Sequence, residues 1–100
     1  MPAKPFRIET RDFSRKQDAV TYFRSMLQRY RPSGKVSEED ARDLIALLKH
    51  HTEYNEKIGV GIDHFEVMWN QYGTHCFAVV RHDGTRDDFS YIHCITPKRD

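Results

Sequence analysis

A two-layer α+β domain, with two helices packed on an antiparallel sheet, is what this sequence predicts, and three observations point to it. Two stretches in the first half, from Ala19 to Tyr30 and from Val36 to Leu48, carry apolar residues at helical spacing. From residue 62 the apolar period shortens to two, as a half-buried strand requires. Asp83-Gly84 then marks a hairpin, because glycine accepts the positive φ such a turn demands. One hundred residues fit a single domain spanning 1-100, since domains typically run about 100–150 residues.

In chain order, Phe6-Arg7-Ile8 alternates apolar and polar and predicts a short first strand. Ser14 is expected to open the first helix, with Gln17 completing a capping box. Ala19, Val20, Phe23, Met26, Leu27 and Tyr30 form its apolar stripe, and Pro32-Ser33-Gly34 ends it. Ser37 is the expected cap of the second helix, with Glu38, Glu39 and Asp40 on the positive end of its dipole. Val36 and Ala41 occupy the two positions of a hydrophobic staple, and Leu44, Ile45 and Leu48 continue the stripe. His50 and His51 fall at the helix end. Phe65, Val67 and Trp69 alternate with His64, Glu66 and Met68 as a strand, and Asn70 to Thr74 turns the chain. Cys76 to Val80 is almost continuously apolar, so it is the expected central strand, and Phe89 to Ile95 is expected to return beside it. A three-residue hairpin loop would set Arg81 opposite Thr85 and Phe77 opposite Phe89, with Val79 and Tyr91 on the same face. The tail from Pro97 is expected to fray.

Composition bounds the class. Apolar residues make up 38% of the chain and the formal net charge is only +1, which argues against disorder. No apolar run reaches the ~18–20 residues of a membrane span. The beginning, Met1-Pro2-Ala3-Lys4-Pro5, reads as neither a secretory signal nor a transit peptide. Two cysteines are too few for a disulfide scaffold, so free thiols and a cytoplasmic location are expected. The charge is uneven: residues 1–35 hold nine Lys or Arg against Glu9, Asp12 and Asp18, a net of +6. Such a gradient marks a nucleic-acid face, unless the two stretches fold together and neutralise each other.

The residues that invite chemistry have plainer roles. His75-Cys76 and His93-Cys94 suggest zinc, yet strand neighbours point to opposite faces and no Cys-x₂₋₄-Cys knuckle exists, so no metal is expected. Cys76 in an apolar strand would be inert rather than a nucleophile. Gly59-Val60-Gly61 lacks the third glycine of a dinucleotide fingerprint and precedes a strand, so it reads as a turn or bulge. Asp87-Asp88 beside Arg81 and Arg86 are ordinary cross-strand partners. No catalytic constellation and no cofactor site is visible, and the chain is not expected to be an enzyme.

The ordered series His51, Lys57-Ile58-Gly59-x-Gly61-Ile62, Phe65-x-Val67, Cys76-Phe77, Arg81-x-Asp83-Gly84 and Asp88-Phe89-Ser90-Tyr91 with Cys94 resembles the DCL (defective chloroplasts and leaves) domain. The upstream helices fit as well, so the resemblance covers most of the chain. Thr52 departs from it, where the family often has proline after the histidine. The resemblance implies a role in ribosomal RNA maturation, as in plant plastids, and a similar domain ends the largest subunits of plant silencing RNA polymerases. A chain without a transit peptide resembles the short bacterial members. The family has no established catalytic residues to carry over.

Two functions follow as expectations. One is a small RNA- or ribonucleoprotein-binding module, a monomer with no membrane contact. Its contacts would come from His51, Lys57, Gly59, Gly61 and Arg81, with Lys57 a fixed cation on an exposed surface loop touching phosphate. The other is a protein-interaction module docking onto a larger machine, with exposed Trp69 or Tyr72 as anchors. A contiguous basic patch including Lys57 favours the first; an exposed aromatic cluster among mixed charges favours the second.

Overall fold

The computed structural model describes residues 5–96, and the chain opens there on a hairpin. β1 (Phe6–Ile8) is the expected first strand. It pairs antiparallel with β2 (Arg11–Phe13), Phe6 opposite Phe13. β2 has no counterpart in the sequence expectation, because Arg11-Asp12-Phe13 is too short and polar to show a period.

That hairpin also moves the start of α1 (Lys16–Gln28). Pairing keeps the chain extended through Phe13, so Ser14 lies in the bend that follows and Arg15 becomes the N-cap, with no side chain closing it. The expected Ser14 capping box does not form. The stripe behind it does: Ala19, Phe23, Met26 and Leu27 are buried. α2 (Glu38–Leu48) begins as its sequence dictates, with the Asp40 N–H donating to Ser37 Oγ at 3.2 Å.

Residues after His51 depart from expectation. They form a short helix, α3 (Tyr54–Ile58), rather than a continuous loop. β3 (Ile62–Trp69), β4 (His75–Arg81) and β5 (Arg86–Phe89) follow as an antiparallel sheet with β4 central. The hairpin register is the expected one: Phe77 faces Phe89, the Arg81 N–H donates to the Thr85 carbonyl at 2.9 Å, and Gly84 has φ +86°. On the outer edge of β3, the Val36 N–H donates to the Phe65 carbonyl and the Val67 N–H to that of Gly34. These bonds keep that edge from pairing elsewhere.

The return strand is shorter than expected. After Phe89 the chain enters a helix, α4 (Tyr91–Ile95), whose start is capped by Ser90 Oγ accepting the His93 N–H at 3.2 Å. The β-branched and aromatic content of this stretch favours a strand. Tyr91, Cys94 and Ile95 nevertheless stand at i, i+3 and i+4, and helical winding buries all or part of each against α1 and α2. Cys94 is therefore on a helix, not a strand. Tyr91 still joins the aromatic face, with its ring centroid 6.2 Å from that of Phe77.

Phe65, Val67, Phe77, Val79 and Phe89 form the inner face of the sheet, covered by Phe23 and Met26 of α1 and by Leu44, Leu47 and Leu48 of α2. The fold is α+β with helices layered on an antiparallel sheet, as predicted. Cys76 and Cys94 are free thiols. No described helix is long and apolar enough to cross a membrane. The expected fraying from Pro97 falls outside the described residues.

Candidate functional site

The segment from His51 to Gly61 is shaped by one arginine. Arg81 leaves the end of β4 with its side chain only 14% exposed. Its Nε donates to the Lys57 carbonyl at 3.0 Å and one terminal nitrogen to that of Glu56 at 3.1 Å. These are carbonyls that a helix end leaves unpaired, so Arg81 closes the C-terminus of α3. The same nitrogen lies 3.3 Å from Asp87 Oδ2. Gly59 lets the backbone pass this close: at φ +48°, a Cβ there would sit 2.9 Å from Arg81 Nε.

Lys57 is not the exposed loop cation the sequence suggests. Its side chain is 13% exposed, its ammonium lies 3.2 Å from Asp87 Oδ1, and it donates to the Asp88 carbonyl at 2.7 Å. The Asp87 carboxylate opposite α3 draws it inward, in the same way that it holds Arg81. Thus Lys57, Gly59 and Arg81 come together, but as an internal fastening. Gly61 serves the neighbouring turn, its carbonyl accepting the His82 N–H at 3.1 Å.

His51 and Lys57 instead border a groove of about 760 Å³ between the β3–β4 turn, the β5–α4 junction and the turn before α3. Tyr72, His75, Tyr91, Ile92 and His93 are among the side chains that line it. The β3–β4 turn is braced from within: Asn70 Oδ1 accepts the N–H groups of Tyr72 and Thr74, and Asn70 Nδ2 donates to Thr74 Oγ1. This Asx-type bracing, with Gly73 at φ +78°, presents Tyr72 at 80% exposure on an ordered turn. Beside it Trp69, 56% exposed, meets the His75 ring edge-on at 4.4 Å. On the far wall the His51 and His93 rings lie 4.6 Å apart, and Thr52 Oγ1 is 2.9 Å from His93 Nε2. Trp69 and Tyr72 are legible in the sequence as exposed aromatics; Tyr91 and His93 as groove walls are not, because residues 91–95 read as strand, and His75 of β4 carries no local signal for that place.

The charges elsewhere are largely matched. Arg7 pairs with Asp12, Arg15 with Asp18, Arg11 with Asp43 and Arg29 with Asp40. The last two pairs join the basic first third to the acidic remainder. Asp43 is 4% exposed and accepts from Thr10, Arg11 and Tyr22. Burial alone would raise its pKa, but these donors outweigh it and hold the carboxyl below its ordinary range. On the outer sheet face His64 bridges Asp63 and Glu66 at 2.6 and 2.8 Å, and its pKa is raised, by Glu66 first and then by Asp63. Among the described residues, no group of three or more His, Cys, Asp or Glu is placed to hold a metal ion.

Fold and groove together define a small two-layer α+β domain with an aromatic recess on its surface. Residues 24–95 match the family described as protein of unknown function (DUF3223), and the chain belongs to that DCL-like family. It is 34% identical over 70 residues to Protein DCL, chloroplastic, of Solanum lycopersicum, covering 67% of this chain and 31% of that one. It is 37% identical over 71 residues to DNA-directed RNA polymerase IV subunit 1 of Arabidopsis thaliana, covering 70% of this chain and 5% of that protein. The chain therefore spans less than a third of either relative's length. An uncharacterized protein from Rhodospirillum rubrum, solved by NMR, superimposes with a TM-score of 0.85 at 43% identity, over 92% of this chain and 88% of that one.

Proposed function

We propose that this domain is a non-catalytic interaction module that docks onto a larger protein or ribonucleoprotein machine through the Trp69–Tyr72 groove. The observation that carries this reading is the exposure of Tyr72 on a braced turn lining a recess, with the exposed Trp69 beside it at the end of β3. Large rings held in place lose little entropy on binding and often anchor interfaces. The internal pairing of Lys57 supports the same choice, since it removes the expected phosphate contact. Matching segments inside longer proteins, one of them named as an RNA polymerase subunit, fit a module that delivers a machine or attaches to one. The reading takes the chain as a monomer that works by contact, needs no cofactor and resides in a reducing compartment such as the cytoplasm.

A second reading keeps the RNA expectation at a different place. Arg24 on α1, with Arg31 and Lys35 just beyond it, is exposed, and among the described residues these three make no ion pair. RNA phosphates would be held there rather than at Lys57.

Immobilised wild-type chain and the Trp69→Ala and Tyr72→Ala variants, each shown folded by amide NMR, are incubated with native lysate with and without nuclease. A specific protein set that survives nuclease and is lost from both variants is the expected result. Capture that vanishes with nuclease, persists in those variants and weakens in Arg31→Ala would instead establish the RNA reading.

A further inference from the structure

Glu53 opens α3 without a side-chain cap, and its own N–H donates to His51 Nδ1 at 2.9 Å. A ring nitrogen that accepts an N–H holds no proton, so His51 is the neutral tautomer protonated on Nε2. Any second proton must enter at Nδ1, where it displaces the Glu53 bond. His51 also faces His93 of α4 at 4.6 Å between ring centroids, and the adjacent Thr52 is bonded to that same His93. The α2–α3 turn thus touches α4 through His51 and Thr52 together, and His51, Glu53, Ser90 and His93 all border the groove.

We propose that protonation of His51 gates this groove: the neutral ring fastens the α2–α3 turn against α4, and a proton on Nδ1 releases it. The charged groups around the ring act in both directions. His93 from α4 and Lys57 from α3 oppose a positive His51, while Glu53 at the start of α3 and Asp87 from β5 favour it. Burial, followed by His93 and Lys57, keeps the pKa of His51 below the ordinary histidine value despite the two carboxylates. The fastening is therefore complete above about pH 6.5, where an unfolded histidine is neutral, and it is lost as pH falls through the lower value of the folded chain. Acidification loosens one wall of the recess while leaving Tyr72 and His75 on the other. The gate takes its purpose from the docking reading, but its titration needs no partner.

Histidine-ring and amide resonances of the whole chain, followed from about pH 8 to about pH 5, test it. The expected result is a His51 midpoint below the ordinary histidine value, shared by the amides of Glu53, His93 and Cys94. His51→Gln, whose side-chain oxygen can accept the Glu53 N–H at every pH, should remove that shared movement. A Glu53 amide that stays still while His51 titrates would overturn the gate, as would α4 amides that move unchanged in His51→Gln. Should the variant fold poorly, the wild-type titration decides alone. Loss of partner capture in Trp69→Ala bears only on the docking reading, so the two can fail separately.

Discussion

Lys57 Nζ lies 3.2 Å from Asp87 Oδ1, and this pair, with the bond from the same ammonium to the Asp88 carbonyl, ties α3 to the edge strand β5. Lys57→Ala would leave the half-buried Asp87 with Arg81 as its remaining cation and the Asp88 carbonyl without this donor. Removing one partner from such a contact costs about 1–3 kcal/mol, well above the ±0.5 kcal/mol or so of a solvated surface lysine. The expected outcome is a lowered urea midpoint at unchanged slope. A midpoint equal to wild type would mean that the ammonium is solvated after all.

That contrast shows where the sequence was legible. α2 could be read from Ser37, its acids and its stripe because capping is a local interaction, complete within four residues. The Phe77–Phe89 register could be read because a turn fixes everything paired beyond it. α3 and the burial of Lys57 could not, since both depend on Arg81 and Asp87, which lie more than twenty residues further on. Residues 91–95 carried opposing local signals, and only the Ser90 cap with the Tyr91, Cys94 and Ile95 spacing gave the correct one. The groove divides in the same way: its aromatic rim was visible in Tyr72, with Trp69 beside it, whereas its far wall exists only because α4 is a helix.

Asp43 makes a long-range anchor of a different kind, receiving Thr10 and Arg11 from the first hairpin and Tyr22 from α1. Asp43→Asn would set an amide nitrogen against these donors and remove the charge that Arg11 faces. Only the Asp43 end of that pair is buried, Arg11 being 45% exposed, so the loss is that of buried hydrogen bonds to a charged group, about 1–3 kcal/mol, and thermal unfolding should register it. The pH dependence follows from the two ends of the contact. The folded-state pKa of Asp43 is lowered, so its contribution is whole above about pH 4 and drains as pH falls through the folded value. Tyr22 is pushed up to about 12, by burial first and then by its bond to Asp43. Its contribution is whole below about pH 10 and is lost as pH rises through the folded value. Stability curves of wild type and Tyr22→Phe should therefore converge at high pH. Parallel curves would remove Tyr22 from the alkaline transition.

The two thiols are protected to different degrees, and both should be slow to react. Cys76 is pushed up to about 11, by burial first and then by the nearby Asp88 carboxylate, and Cys94 to about 12 by burial. The thiolate is the reactive species, so a disulfide-exchange reagent near pH 8 should label both far more slowly in the native chain than in denaturant. Cys76, being partly exposed, should react before Cys94. Rapid native labelling of Cys94 would mean that α4 opens readily.

Gly59 and Gly73 separate backbone strain from steric contact, because both have positive φ but different surroundings. At Gly73, φ is +78° and a Cβ would meet nothing within 4 Å. Gly73→Ala should therefore cost only the left-handed penalty, about 1–2 kcal/mol. At Gly59, φ is +48° with ψ −119°, and a Cβ would stand 2.9 Å from Arg81 Nε. The guanidinium cannot simply swing aside, since moving it breaks its bonds to the Glu56 and Lys57 carbonyls and its contact with Asp87. Gly59→Ala should thus destabilise more than Gly73→Ala. The excess should shrink in an Arg81→Ala background, where the clash is gone and only the strain remains. Such non-additivity is the signature of two residues in contact, and a double-mutant cycle of chemical denaturation measures it. If the cost of Gly59→Ala is the same with and without Arg81, the glycine is there for its dihedral angles alone, and Arg81 closes α3 without needing the close approach.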